Sequence, residues 1–143
     1  TYARVIAGRY PLSPQELLRS AFDNAVEAAQ ATCLVSHLDT LPSIDGRTVF
    51  LVVGKAASQH AQIAQKCLGN IEGLCVLPKG DRVSTTLKVI EASHPVPDTG
   101  SLLAAHEAME LARTLEPSDR MVCLISGGGS ALMSAPLPTM DPD

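Results

Sequence analysis

The 143-residue chain has no tryptophan, two tyrosines and two phenylalanines. Its core must therefore be built from Val, Leu, Ile and Ala, which supply most of an apolar share of 45%. No run of Lys or Arg occurs, and the formal net charge is -4. That argues against nucleic acid as a partner, because such binding rests on cationic contacts to phosphates. No apolar stretch approaches the roughly 20 residues of a membrane-spanning helix, and no signal-peptide pattern opens the chain. The four cysteines, Cys33, Cys67, Cys75 and Cys123, form no CxxC pair and have no histidine at metal spacing. They read as reduced thiols of a cytoplasmic protein, with a disulfide left open. His37, His60 and His106 also lack partners at metal spacing, and His60 and His106 read as helix-surface residues.

What is present alternates between two periods. "LSPQEL" carries a helix start: Ser13 as N-cap, Pro14 at the first helical position and Glu16 completing a capping box. Leu18, Ala21, Phe22, Ala25 and Ala29 follow at helical spacing, predicting a helix over 14–31. "LPSIDGR" is a loop. "TVFLVVG" (48–54) is apolar and β-branched without alternation, so both of its faces are expected to be buried, as in a parallel sheet. A helix is expected over 55–68, and strands over 73–78, 87–93 and 121–126. Asp98 is placed to cap a helix over 99–115, with Leu102, Ala105, Met109 and Ala112 as its apolar face. A helix begins again at "SALM" (130–133), and "SAPLP" stops it. This order predicts an α/β fold with a mainly parallel sheet and helices on both faces. The loop-like end, "LPTMDPD", leads us to expect a fragment of a longer domain.

Ligands of such folds sit at the carboxyl ends of strands, and three segments qualify: Gly54-Lys55, "SHPVPD" and "SGGGS". Gly127, Gly128 and Gly129, flanked by Ser126 and Ser130, lie between a strand and a helix. Without Cβ atoms their N–H groups can approach a ligand closely, and a nest of such groups binds anions. A tight turn needing positive φ is the alternative, but three glycines in this position favour an anion cradle. Leu132 stands where a dinucleotide fingerprint needs Gly or Ala, no Lys follows as in a P-loop, and GxSxG is absent. Lys55 follows the strand over 48–54 and offers a compact charge to a phosphate or carboxylate; a surface lysine is an equally open reading. His94 sits in "HPVPD", a loop stiffened by Pro95 and Pro97, as a base, a donor or a loop-satisfying residue. Lys79, in "LPKGD", is a second cation at the same sheet edge, where a solvated turn is the simpler reading.

"LVVGKAAS", "VLPKG", "EASHPVPDTGSLLAAHEAMEL" and "LISGGGSALMSAPLP", in this order and spacing, resemble the glycerate 2-kinase family. The resemblance spans the chain from the first helix onward. It implies that residues 1–143 are the N-terminal part of a Rossmann-like domain, with the smaller C-terminal domain absent. It further implies ATP-dependent phosphorylation of D-glycerate to 2-phosphoglycerate with Mg2+ or another divalent cation. Lys55 matches a lysine held to act in catalysis. Ser126, Gly127, Gly128, Gly129 and Ser130 match a phosphate-cradle-like loop, and His94 lies in the matching HPVPD loop; with Lys79 these are the candidate substrate- or phosphate-binding residues. The family's essential arginine and acidic residues have no counterpart here, so the fragment is expected to be inactive alone. No protein metal ligand is expected within the chain. The implied partners are glycerate and nucleotide, with homo-oligomer formation left open and no membrane or nucleic acid. Two other readings compete: a hydroxypyruvate reductase, against which the missing dinucleotide fingerprint counts, and a non-catalytic sugar-phosphate-binding domain.

Overall fold

The computed structural model describes residues 12–29 and 34–137. The chain divides into two units, residues 1–33 and 34–143. In the first, α1 (Pro14–Ala28) starts as its sequence dictates. The Glu16 amide donates to Ser13 Oγ at 3.3 Å, and the Ser13 amide donates to the Glu16 carboxylate at 2.7 Å. No residue of α1 is buried. Residues 30 and 31, to which the helix was expected to run, lie outside the described residues, as do Cys33 and the terminal loop from Pro138.

The second unit holds α2 (Leu34–Asp39), β1 (Thr48–Val53), α3 (Ala57–Leu68), β2 (Glu72–Pro78) and β3 (Lys88–Ala92). α4 (Thr99–Arg113), β4 (Arg120–Ile125) and the single-turn α5 (Gly129–Leu132) complete it. The four strands form one all-parallel sheet in the order β3-β2-β1-β4. The chain thus moves outward from β1 through β2 to β3, then returns to the free side of β1 for β4. The short α2 carries no strong sequence signal and was not expected.

Successive residues of β1 serve opposite layers. Phe50 and Val52 pack with Ala57, Ala61 and Ala64 of α3 and Cys75 and Leu77 of β2. Leu51 and Val53 pack with Leu74 and Val76 of β2, Ala104 and Ala108 of α4, and Leu132 of α5. Helices cover both faces, which is why the run from Val49 to Val53 is buried throughout and does not alternate. Each such side chain removed from water contributes about 1.5–3 kcal/mol. β3, at one edge, alternates from its second residue, exposing Val89 and Glu91 and burying Ile90 and Ala92.

One helix face differs from expectation. α4 buries Ser101, Ala104, Ala105 and Ala108, whereas Leu102 and Met109 are exposed. Ala112 is exposed as well. A Cβ on Gly100 would come within 2.5 Å of the Glu91 carbonyl, so the helix start lies almost against β3. At that separation small residues fit under the helix and large ones do not, so size rather than apolarity selects the buried face.

At the amino-terminal ends of the strands, Arg47 ties β1 to the segment before β4. Its amide and Nε donate to the Asp119 carboxylate at 2.9 and 3.0 Å, and Nη2 donates to the Thr114 carbonyl at 2.7 Å. Among the described residues no helix is long and apolar enough to cross a membrane.

Candidate functional site

The strand order makes β1 the pivot of the sheet, with β2 and β4 leaving it in opposite directions. In open α/β sheets such a reversal leaves a crevice at the strands' carboxyl ends, and ligands bind there. Here the two lips are the turn after β1, which carries Gly54 and Lys55, and the turn after β4, which carries Ser126 to Gly129.

Backbone and side-chain bonds stitch these lips together. The Ser126 amide donates to the Val53 carbonyl at 2.9 Å, and the Lys55 amide donates to the Gly127 carbonyl at 2.9 Å. Ser126 Oγ accepts from the Ala56 amide at 3.0 Å. That bond caps the start of α3, whose own N-cap residue, Ala56, has no side-chain acceptor to offer. Gly54 makes the contact possible. Its φ is +125°, and a Cβ there would lie 2.1 Å from Ser126 Oγ. Because this turn occupies residues 54–56, α3 begins at Ala57 and Lys55 precedes it rather than lying in its first turn.

The three glycines are not equivalent. Gly128 alone among them has positive φ, at 88° with ψ -2°. The conformation turns the backbone so that the Gly128 carbonyl accepts from Ala131 and Leu132, each at 3.1 Å, closing the turn of α5. Among the described residues, the amides of Gly127, Gly128, Gly129 and Ser130 donate to nothing. Successive free backbone donors at a strand end are the kind of feature from which anion nests are built.

Two side chains lie over this turn. A Cβ built on Gly128 would meet His94 Cδ2 at 2.8 Å, His94 Nε2 at 3.0 Å and Lys55 Cγ at 3.3 Å. One on Gly127 would meet Lys55 Cε at 3.7 Å. Lys55 and His94 are both exposed, and among the described residues the Lys55 ammonium has no carboxylate partner. Lys55 and His94 thus meet at Gly128, in the turn that also carries Ser126, Gly127, Gly129 and Ser130. A cavity of about 420 Å³ is lined by Val53, Ile125, Ser126, Gly128, Gly129, Ser130 and Met133, without Lys55 or His94.

Lys79 stands apart from this group. Its Nζ is 2.5 Å from Asp98 Oδ2, and its amide donates to the Ala92 carbonyl at 3.0 Å. Lys79 and the Ser93 hydroxyl hold the Asp98 carboxyl well below the usual carboxylate range. Asp98 caps α4, as its position suggested. Its capping partner is Ser101, fully buried and unremarked in the sequence, although the Asp-x-x-Ser spacing is the available signal. Glu91 accepts from the Gly80 amide and pairs with Arg82, an ordinary strand-end carboxylate.

His60 also differs from expectation. It is half-buried on α3, with Nδ1 enclosed and, among the described residues, without a partner, and burial lowers its pKa. Cys75 is buried and its thiol is pushed up to about 11 by desolvation. Cys123, on the outermost strand, is exposed.

Among the described residues no group of three or more His, Cys, Asp or Glu side chains could hold a metal ion. A larger cavity of about 830 Å³ opens at the opposite pole beside Arg47, Glu72 and Arg120. Most of its arginine donors are engaged, Arg47 by Asp119 and Glu72, and the two terminal nitrogens of Arg120 by the Pro42 carbonyl and Thr48 Oγ1; among the described residues the buried Arg120 Nε has no partner. Four consecutive free amides lie instead at the glycine turn, and we place the candidate site there.

Residues 17–143 match a protein family described as a domain of unknown function, DUF4147. A protein of Agrobacterium vitis, provisionally named a hydroxypyruvate reductase, is 36% identical over 129 residues, 87% of this chain and 29% of its own length. A glycerate 2-kinase of Pyrococcus horikoshii is 35% identical over 114 residues, 79% of this chain and 26% of its own. The crystal structure of a glycerate kinase from Thermotoga maritima superposes with a TM-score of 0.70 at 31% identity, over 90% of this chain and 33% of that one. The chain spans between a quarter and a third of the length of these relatives.

Proposed function

The chain belongs to the DUF4147 family, and from that premise we propose that it supplies the phosphate-handling wall of a glycerate kinase. The reaction is transfer of a phosphoryl group from ATP to D-glycerate, giving 2-phosphoglycerate, in a protein longer than these 143 residues. The observation that carries this reading is the run of four undonated amides from Gly127 to Ser130 beside the unpaired Lys55 ammonium. Phosphoryl transfer asks a protein mainly to position groups and to stabilise charge spread over phosphate oxygens. Backbone amides and a lysine do both without changing protonation state.

In this proposal the Gly127–Ser130 amides hold phosphate oxygens. Lys55 neutralises charge on the transferred group or orients the carboxylate of glycerate. His94, facing the same turn, donates to the bound anion. Lys79, engaged with Asp98, supports the loop rather than touching the ligand, and Ser126 Oγ holds the lip at Ala56. The described residues do not form a metal site, so no step is assigned to a metal held by this chain; magnesium is commonly carried on nucleotide phosphates. Residues 1–143 are proposed as the N-terminal part of a Rossmann-like domain of a cytoplasmic enzyme, and to turn over little or no glycerate by themselves.

The test is Lys55→Ala in a full-length protein containing this chain. Loss of one such charge-stabilising group should lower kcat by about 100-fold or more, with an unchanged circular dichroism spectrum. Near-normal turnover would remove Lys55 from the reaction. The name of the Agrobacterium vitis relative keeps a hydroxypyruvate reductase as a second reading. Leu132 departs from the dinucleotide fingerprint, and measuring NAD(P)H oxidation against ATP consumption separates the two.

A further inference from the structure

The carboxylate of Asp98 is bonded far beyond what capping α4 requires. Oδ1 accepts from the Ser93 amide at 3.2 Å, the Ser101 amide at 3.1 Å and the Ser101 hydroxyl at 3.3 Å. Oδ2 accepts from the Ser93 hydroxyl at 2.8 Å and lies 2.5 Å from Lys79 Nζ. A cap needs one acceptor for one amide of the first turn. Here the same group also grips Ser93, the residue that precedes His94. The segment Ser93–Asp98 is therefore closed on itself by its two ends, and His94 is displayed between them. Lys79 reaches the closure from the end of β2.

Placing a carboxylate in the loop that borders an anion site has an electrostatic cost, because like charges repel. A lysine on that carboxylate offsets it. We propose that Asp98 is a positioning residue that holds His94 over Gly128, and that Lys79 serves the site by neutralising Asp98 rather than by binding the anion. The proposal rests on the reading of Lys55, His94 and the glycine turn as an anion site. It differs from that reading in assigning Lys79 and Asp98 an indirect role. The exposure of the two side chains, 60% for Lys79 and 22% for Asp98, fits a surface lysine folded down onto a partly covered carboxylate.

The experiment uses the 143-residue chain, isotope-labelled for NMR, with inorganic phosphate as the probe. Two quantities are read: nuclear Overhauser contacts between the His94 ring and Gly128 Hα, and the phosphate dissociation constant from shifts of the Gly127–Ser130 amides. Lys79 is well exposed, so Lys79→Ala should fold. It is expected to weaken the His94–Gly128 contacts and to lower phosphate affinity roughly two- to fivefold, the scale of a partly exposed ion pair. Lys79→Arg should restore both. The double variant Lys79→Ala with Asp98→Asn is expected to regain phosphate affinity, because the uncompensated carboxylate is gone. If the double variant stays as weak as Lys79→Ala, Lys79 acts through its own charge and the proposal is overturned. Unchanged His94–Gly128 contacts in both Lys79→Ala and Asp98→Ala would overturn it as well. Phosphate that shifts none of the glycine amides in the unaltered chain would instead sink the anion-site reading. In that event the His94–Gly128 contacts alone decide the positioning role.

Discussion

Replacing the three glycines one at a time with alanine should give three different results, because their surroundings differ. Gly128 adopts φ +88°, where an L-residue costs about 1–2 kcal/mol. An alanine Cβ there would also meet His94 ring atoms at 2.8 and 3.0 Å. His94 is exposed and can swing aside, so the backbone dominates the cost and the displaced imidazole is the functional consequence. Gly127 has no positive φ, and its added Cβ would find only Lys55 Cε at 3.7 Å. Gly129 opens α5, with Ile125 Cγ2 at 3.6 Å as the nearest contact. At both positions alanine restricts the unfolded chain without strain and should stabilise by about 0.4–1 kcal/mol. Gly128→Ala should therefore lie about 1.5–3 kcal/mol below the other two. With a urea dependence of about 1–3 kcal/mol per molar for a small domain, the gap in midpoint is on the order of 1 M. Far-ultraviolet circular dichroism is the signal of choice, since the chain has no tryptophan. Equal midpoints for the three variants would refute the conformational assignment. Adding His94→Ala should leave the Gly128→Ala penalty nearly intact; disappearance of the penalty in that background would show that collision, not φ, sets it.

Gly54→Ala should be far more severe, losing more than about 3 kcal/mol or failing to fold, because its Cβ would sit 2.6 Å from the Ser126 carbonyl oxygen at φ +125°; soluble, native-like Gly54→Ala protein would contradict the packing of the two lips. A maleimide reagent should modify Cys123 within the folded protein, whereas Cys75, buried and with its thiol raised to about 11, should react only after denaturation; prompt labelling of Cys75 would refute its burial. Acid should destabilise the second unit. Asp98 is held below its ordinary range by Lys79 and Ser93, and Asp119 by the Glu116 amide and Arg47. Folded values below unfolded ones make the stabilisation complete above the unfolded carboxylate value of about 4 and progressively lost as the pH falls from there through the lower folded values. Asp98→Asn and Asp119→Asn should each flatten the fall of the urea midpoint on acidification, and an unchanged slope in both would refute the assignment.

Much of the frame was legible in the chain itself. The unbroken β-branched run from Val49 to Val53 announced a strand covered on both sides, and helices do cover both sides. Ser13 and Asp98 announced helix starts that the backbone makes. These are local matters: a side chain reaching an amide three residues on, or a residue type suited to a buried pleat. The buried face of α4 was misread because apolar spacing marks large residues, whereas the fully covered positions of the helix hold only serine and alanine.

The sequence by itself determined which residues are strand ends, caps and possible anion ligands. It also showed that Gly127, Gly128 and Gly129 could bare their amides. It could not say that Lys55, His94 and Gly128 meet, since 39 residues separate the first two and 34 the last two along the chain. The strand order β3-β2-β1-β4 sets the end of β4 beside the end of β1 and so joins Gly128 to Lys55, while the loop after β3 carries His94 to Gly128 past the end of β2. Nor could it say which glycine turns left-handed, that Ser126 is spent on the Ala56 amide, or that Lys79 answers Asp98 rather than a ligand. Each of these depends on what another strand brings within a few ångströms, and only the assembled sheet sets that distance.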